Sequence, residues 1–190
     1  MIYLASHSPR RAELLKQIGV PFSLVNASIE EKVKAGESAE EYVSRLAVEK
    51  AQAGFENSDR IKPVLGADTI VVIDQQILEK PADQHDAKKM LQLLSGRTHQ
   101  VFTAIALVDS QSVKTQRVKT DVSFKVLAAQ EIDEYWLTGE PLDKAAGYAI
   151  QGIAGKFVTN ICGSYSAVVG LPLYETEQLI KEFKGIESVC

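Results

Sequence analysis

Ile2-Tyr3-Leu4-Ala5-Ser6-His7-Ser8-Pro9-Arg10-Arg11-Ala12-Glu13-Leu14-Leu15 decides the fold class of this chain. Its first four residues are apolar and predict a buried strand, whereas Leu14, Leu15 and Ile18 recur at helical spacing until Gly19 breaks the pattern. Ser8 suits an N-cap and Pro9 the first helical position, so Arg10 and Arg11 fall in the first turn. Cations are unfavourable there, because a helix N-terminus already carries partial positive charge and unpaired N–H groups. One anion neutralises all of them together. The hydroxyls of Ser6 and Ser8, backbone N–H groups and an arginine fork are the donors a phosphate takes. A capped helix whose arginines point into solvent is the plainer alternative, and this stretch alone leaves both open.

The 190 residues suit one domain, residues 1–190, with room for a real core. A formal net charge of -4 argues against wholesale binding to nucleic acid or an anionic membrane. Phosphate recognition is therefore expected to be local. Polar residues after Ala5 argue against a signal peptide, and no apolar run approaches the ~20 residues of a membrane span, so a cytosolic protein is expected. Cys162 and Cys190 form no disulfide or zinc spacing and are read as incidental.

Further along, Phe22–Val25 predicts a second strand that runs into Ile29, with Glu30 and Glu31 ending it. Ser38-Ala39-Glu40-Glu41 resembles a capping box, opening a helix to about Ala53 with Gly54 as its stop. Lys50 lies on the inward stripe of that helix, which is costly unless its ammonium meets an anion or water. Val64–Ile73 predicts a central strand apolar on both faces, interrupted by Asp68. A carboxylate there needs a partner, and a metal ion or a lysine is the natural one. Gly66 and Ala67 are read as leaving room for a ligand beside it.

A turn at Asp74–Gln76 leads to Ile77-Leu78 and then Glu79-Lys80-Pro81. Helices are expected over Asp83–Leu94 and Ala129–Leu137, and strands over Val101–Val108 and about Lys114–Phe124. Within Pro141–Gly152, polar Lys144 and Gln151 flank a small-residue strand; Phe157-Val158 and Ser166–Val169 read as further strands, and Gly170-Leu171-Pro172 as the start of a last helix before a polar tail after Gly185.

Most phosphate-handling motifs fail. Gly155-Lys156 lacks the spacing of a Walker loop, no Gly-x-Gly-x-x-Gly follows a strand, and Gly-x-Ser-x-Gly is absent. His85-Asp86 is read as a surface pair, because adjacent helix residues do not face one another. What survives is an anion with a hard metal. Arg10, Arg11, Lys50 and Lys80 balance polyphosphate charge, while Glu31 and Asp68 offer oxygen ligands to a divalent ion of the magnesium type.

Ser6-His7-Ser8-Pro9-Arg10-Arg11-x-Glu13-Leu14-Leu15, Tyr42-Val43-x-Arg45-Leu46-Ala47-x-x-Lys50-Ala51, Gly66-Ala67-Asp68-Thr69, Glu79-Lys80-Pro81, Ser95-Gly96-Arg97-Thr98-His99 and Tyr148-x-Ile150-Gln151-Gly152 occur in this order over nearly the whole chain. Together they resemble the Maf family of nucleoside triphosphate pyrophosphatases. The resemblance implies an elongated mixed α/β fold, with a β-sheet flanked by helices and two lobes around a central cleft, and a homodimer. It also implies cleavage between the α- and β-phosphates with a divalent metal, magnesium or alternatively manganese or cobalt.

The family's proton acceptor falls on Asp68. Its dTTP/UTP branch carries the residues found here as Arg10, Thr69 and Gln151, which are expected to select the base. Ser6, Ser8, Arg11, Lys50 and Lys80 are then expected on the phosphates. Lys144-Ala145-Ala146-Gly147-Tyr148 departs from the usual Lys-Ala-Gly-x-Tyr order by moving the glycine one place. The alternative is a regulator that senses a triphosphate without cleaving it. A nucleic-acid module conflicts with the acidic balance.

Overall fold

The structure is a computed structural model that describes residues 1–183. Cys190 and the polar tail after Gly185 lie outside the described residues. Among the described residues seven strands form a mixed sheet with flanking helices. In chain order the elements are β1 (Ile2–Ala5), α1 (Pro9–Gln17), β2 (Phe22–Leu24), α2 (Ala39–Glu56), β3 (Val64–Ile73), β4 (Gln76–Leu78), α3 (Gln84–Leu94), β5 (Thr98–Val108), β6 (Val113–Phe124), α4 (Ala129–Leu137), β7 (Val158–Cys162), α5 (Tyr165–Val169) and α6 (Leu173–Phe183). The strand order is β2-β1-β3-β5-β6-β7, with β4 added to β3. The α/β class expected from the sequence is therefore the one observed.

Two compact units divide the chain. The first takes Met1–Asp68, Thr103–Val118 and the described part of the segment from Gly170. Here β1 pairs in parallel with both β2 and β3, with Ala5 opposite Gly66. Leu4, Leu15, Val43, Leu46, Ala47, Ala51 and Leu65 are fully buried, so α1 and α2 cover these strands with their apolar stripes. Helix α2 begins with the expected capping box: Ser38 Oγ accepts from Glu41 N–H, and the Glu41 carboxylate accepts from Ser38 N–H.

Gly54 does not stop this helix, which continues to Glu56. The glycine is there for packing, because a Cβ at Gly54 would lie 2.7 Å from Ala5 Cβ and 3.0 Å from Val64 Cγ1. Nor do Glu30 and Glu31 end a strand. Strand β2 stops at Leu24, and residues 25–34 have no regular structure.

The second unit comprises Thr69–Phe102 and Lys119–Val169. Its core joins Val71, Leu91, Leu94, Val101, Val122, Phe124, Ile132, Tyr135, Tyr148 and Phe157. Asp74 and Gln75 both have positive φ, 50° and 64°, the geometry of a tight hairpin turn between β3 and β4. Asp83 caps α3 by accepting from Asp86 N–H, as the sequence suggested.

Two expectations fail in this unit. The small-residue strand expected between Lys144 and Gln151 is instead a short 3-10 helix at Ala145–Gly147 leading into turns, since Ala146 and Gly147 adopt φ of 54° and 67°, outside the range of a regular strand. Ser166–Val169 belongs to the short helix α5, because Ser164 Oγ accepts from Ala167 N–H and supplies a helix start.

Candidate active site

Close contact between a helix and a strand sets the geometry of the first unit's charged cluster. A Cβ at Gly66 would lie 2.5 Å from Ala51 N and 2.9 Å from Ala51 Cβ, so only glycine lets the α2 backbone press on β3 at this point. The room expected there for a ligand is filled by α2 itself. One consequence is that Lys50, the residue before Ala51, is brought against Asp68.

Asp68 is 6 % exposed in the middle of a strand whose other residues are nearly all buried. Lys50 Nζ lies 2.6 Å from Asp68 Oδ1 and 2.8 Å from Glu31 Oε1. A buried carboxylate without a cation is strongly unfavourable, so this ion pair is what permits an ionised Asp68 inside an apolar strand. Glu31 comes from the irregular segment after β2, and its side chain is 41 % exposed. The cluster therefore runs from the strand interior outward to solvent.

Ser6 follows β1 directly and organises the turn into α1. Its Oγ accepts from Ser8 N–H at 3.1 Å and from Arg11 Nη1 at 3.3 Å, while Arg11 Nε donates to the Gly170 carbonyl at 2.8 Å. Ser8 is the N-cap residue and Pro9 stands at the helix start, as expected, but the Ser8 side chain makes no capping bond. No acidic residue occupies the first turn of α1. Burial holds the Arg11 guanidinium below its ordinary value; the charges of Asp68 and Glu31 oppose that and Arg10 adds to it. Arg11 thus feels the same carboxylates that Lys50 touches.

Ser6, Ser8, Arg11, Glu31, Lys50 and Asp68 are accordingly together in the first unit, with Arg10 partly exposed beside Arg11 on α1. Arg45, also on α2, is committed elsewhere: Glu37 and Glu49 bind it at 2.5 Å and 3.0 Å, and it lies over the Tyr42 ring. Glu31 and Asp68 converge on the Lys50 ammonium, and their oxygens are hard donors of the kind magnesium takes beside water and phosphate, provided Lys50 yields part of that contact. Among the described residues no group of three or more His, Cys, Asp or Glu side chains could hold a metal. A divalent ion at Glu31 and Asp68 would therefore depend on the ligand's own oxygens.

Thr69, Lys80 and Gln151 belong to the second unit. Thr69 is partly buried on β3, Lys80 is exposed after β4, and Gln151 is exposed between buried Ile150 and Gly152. Ala146 N–H donates to the Glu79 carbonyl at 2.9 Å, tying the turn before Tyr148 to the strand end that carries Lys80. Both Ala146 and Gly147 are left-handed, so moving the glycine by one place changes which of two such residues carries a Cβ and leaves the turn itself intact.

Sequence reasoning missed Glu140. Its carboxylate accepts from Tyr135 Oη at 2.8 Å, Ile153 N at 2.8 Å and Ala154 N at 3.0 Å. Burial raises this carboxyl, but the bonds from Ala154, Ile153 and Tyr135 outweigh burial and hold it below the ordinary value. The only signal was an acidic residue between Gly139 and Pro141, where the helix α4 had already ended.

A family model described as Maf-like protein matches residues 1–183. The chain belongs to the Maf family. It is similar to proteins named dTTP/UTP pyrophosphatase from Pseudoalteromonas atlantica, 59 % identical over 183 residues and 95 % of each chain, and Salmonella typhimurium, 57 % identical over 187 residues, 98 % of this chain and 95 % of the relative. Vibrio parahaemolyticus has another of that name, 55 % identical over 96 % of each chain. Among solved structures, the Staphylococcus aureus Ham1 protein superposes with a TM-score of 0.54 at 14 % identity, covering 96 % of this Maf-family chain and 98 % of its own, a likeness of fold. No described helix is long and apolar enough to cross a membrane.

Proposed function

We propose that this Maf-family protein is a nucleoside triphosphate pyrophosphatase that hydrolyses dTTP and UTP to the monophosphate and pyrophosphate. The observation that carries the reading is Asp68, buried in β3, ion-paired with Lys50 and joined through Lys50 to solvent-facing Glu31. Full-length relatives named for this activity support the choice of substrate.

Asp68 accepts a proton from the attacking water, whose oxygen bonds to the α-phosphorus as the bond to the bridging oxygen breaks and pyrophosphate leaves. Lys50 keeps Asp68 ionised and oriented for this role. Ser6 and Ser8 hold phosphate oxygens by hydrogen bonds, and Arg10, Arg11 and Lys80 hold them by charge, which stabilises the negative charge developing on the departing group. Glu31 and Asp68 are the residues that would hold a divalent ion, which when bound supplies further neutralisation of phosphate charge. Arg10, Thr69 and Gln151 select the base; the Gln151 amide both donates and accepts, as the imide edge of uracil or thymine requires. We take the working protein to be a cytoplasmic homodimer.

The test is to incubate the protein with magnesium and each canonical triphosphate and to assay pyrophosphate separately from orthophosphate. Pyrophosphate from dTTP and UTP in preference to the others is expected. Binding without release of pyrophosphate would replace this reading with that of a triphosphate sensor.

A further inference from the structure

The backbone around Gln151 is tightly turned and closely approached by its neighbours. Gly152 N–H donates to the Ala149 carbonyl at 3.0 Å, and Gly155 N–H to the Gly152 carbonyl at 3.1 Å, so residues 149–155 form two successive tight turns. A Cβ at Gly155 would lie 2.8 Å from the Ile150 carbonyl oxygen. A Cβ at Gly152 would lie 2.6 Å from Glu140 Cδ. The turn that carries Gln151 is therefore built directly onto the Glu140 carboxylate.

Three donors converge on that carboxylate. Ile153 and Ala154 N–H belong to the first turn of a 3-10 helix over Ile153–Phe157, where N–H groups lack partners within the helix, and the third donor is the phenol of fully buried Tyr135. An ionised carboxylate accepts from all three at full strength, whereas an amide keeps Tyr135 and Ala154 on its oxygen and turns its NH2 toward the Ile153 N–H. The negative charge also faces the positive end of that short helix. Gln151 is also held from its other side, since the preceding residue, Ile150, is buried in the second unit's core.

We propose that Glu140 is a positioning residue for base recognition: by accepting from Ile153, Ala154 and Tyr135 it fixes the turn that presents Gln151 to the pyrimidine. This rests on the reading of Gln151 as a residue that selects the base. Glu140 touches neither base nor phosphate in this role and acts through the backbone of residues 151–154.

The experiment is a double-mutant cycle with Glu140→Gln and Gln151→Ala, measuring kcat and KM for dTTP, UTP, CTP and dATP, with thermal melts on every variant. Gln151→Ala is expected to raise KM for dTTP and UTP about tenfold and to erode their preference over CTP and dATP. Glu140→Gln should do the same, with kcat held within about threefold and no comparable change for CTP or dATP. Combined, the two should be within about twofold of either alone, because they break one device. Multiplying effects, or an unchanged KM in Glu140→Gln when Gln151→Ala alters it, would overturn the assignment of Glu140. An unchanged base preference in Gln151→Ala would instead sink the base-reading role of Gln151, and the inference with it. Should Glu140→Gln fail to fold, Tyr135→Phe on both backgrounds carries the test. A KM rise of about threefold for dTTP that vanishes when residue 151 is already alanine supports the proposal, and no rise or an equal rise on both backgrounds overturns it.

Discussion

Asp68 on β3, in the first unit, and His99 on β5, in the second, each bring a polar side chain into a buried strand. Asp68 meets the Lys50 ammonium at 2.6 Å. His99 is 0 % exposed and meets Tyr148 Oη at 2.8 Å, with its ring edge-on to those of Phe124 and Tyr148 at 5.0 Å and 5.5 Å. Burial pushes its imidazolium down to about 4, so the ring is neutral at neutral pH. The difference lies in what stands behind each group. Behind Asp68 the chain of charges continues through Lys50 to exposed Glu31, whereas His99 meets a buried phenol and two aromatic rings. Of the two, Asp68 is the one that a chain of charged groups joins to an exposed side chain, as the proposed role of proton acceptor requires.

The strongest way to break this contrast is Asp68→Asn. Loss of about 10³-fold in kcat is expected from removal of a general base. Melting should change little, because Lys50 retains Glu31 and the amide fills the same space. Near-normal pyrophosphate release from dTTP in this variant would remove Asp68 from the chemistry and make it a structural group like His99. Lys50→Met probes the same centre from its other side. It strands the Asp68 carboxylate in a buried strand, for which a destabilisation of about 3 kcal/mol is expected in urea unfolding, together with loss of activity. Equal stability would mean that Asp68 needs no cation, against the argument from burial.

How far the sequence foretold these regions depends on the range of the interactions involved. Helix α3, its cap Asp83 and strand β3 were legible to the residue, because capping chemistry and apolar periodicity are local signals. The type of partner for Asp68 was also legible, since a lysine on an inward helical stripe needs an anion. Its cause was not: Gly66 looked like space for a ligand, and only the packing shows the α2 backbone in that space. The stretch between Lys144 and Gln151 failed as a strand because small residues suit strands and left-handed turns alike, and the Glu79 carbonyl that captures Ala146 N–H lies far away in sequence. Glu140 was invisible for a similar reason, as two of its three partners are backbone N–H groups that no residue type encodes.

His99 yields the next largest effect, and its sign follows from its depressed value. Between its unfolded value of 6.5 and its folded value of about 4, the unfolded chain takes up a proton that the native protein excludes. The contribution is fully present above pH 6.5 and is lost as pH falls toward 4, amounting to about 3 kcal/mol in all. Urea unfolding at pH 7, 5.5 and 4 measures it, and His99→Phe should flatten the pH 6.5 to 5 portion in particular. A flat wild-type profile over that range would show that His99 is charged or open to water, and the contrast with Asp68 would fail.

Ala146→Gly should have the smallest effect, and the reason sharpens what holds the Tyr148 side of the second unit. Ala146 has φ 54° and ψ 16°, a left-handed conformation that costs a non-glycine residue about 1 kcal/mol, so glycine relieves strain. Against this, the methyl is fully buried in the core, and removing it forfeits about 0.8 kcal/mol of transfer energy. Glycine also gives the unfolded chain more freedom, a further loss of about 0.5 kcal/mol. The terms nearly cancel, so stability within about 0.5 kcal/mol of wild type is expected, with kcat and KM for dTTP unchanged. Stabilisation by more than about 1 kcal/mol would show that the methyl is poorly packed. A change in KM without a change in stability would mean that this turn, unlike the aromatic core beside it, takes part in handling the substrate.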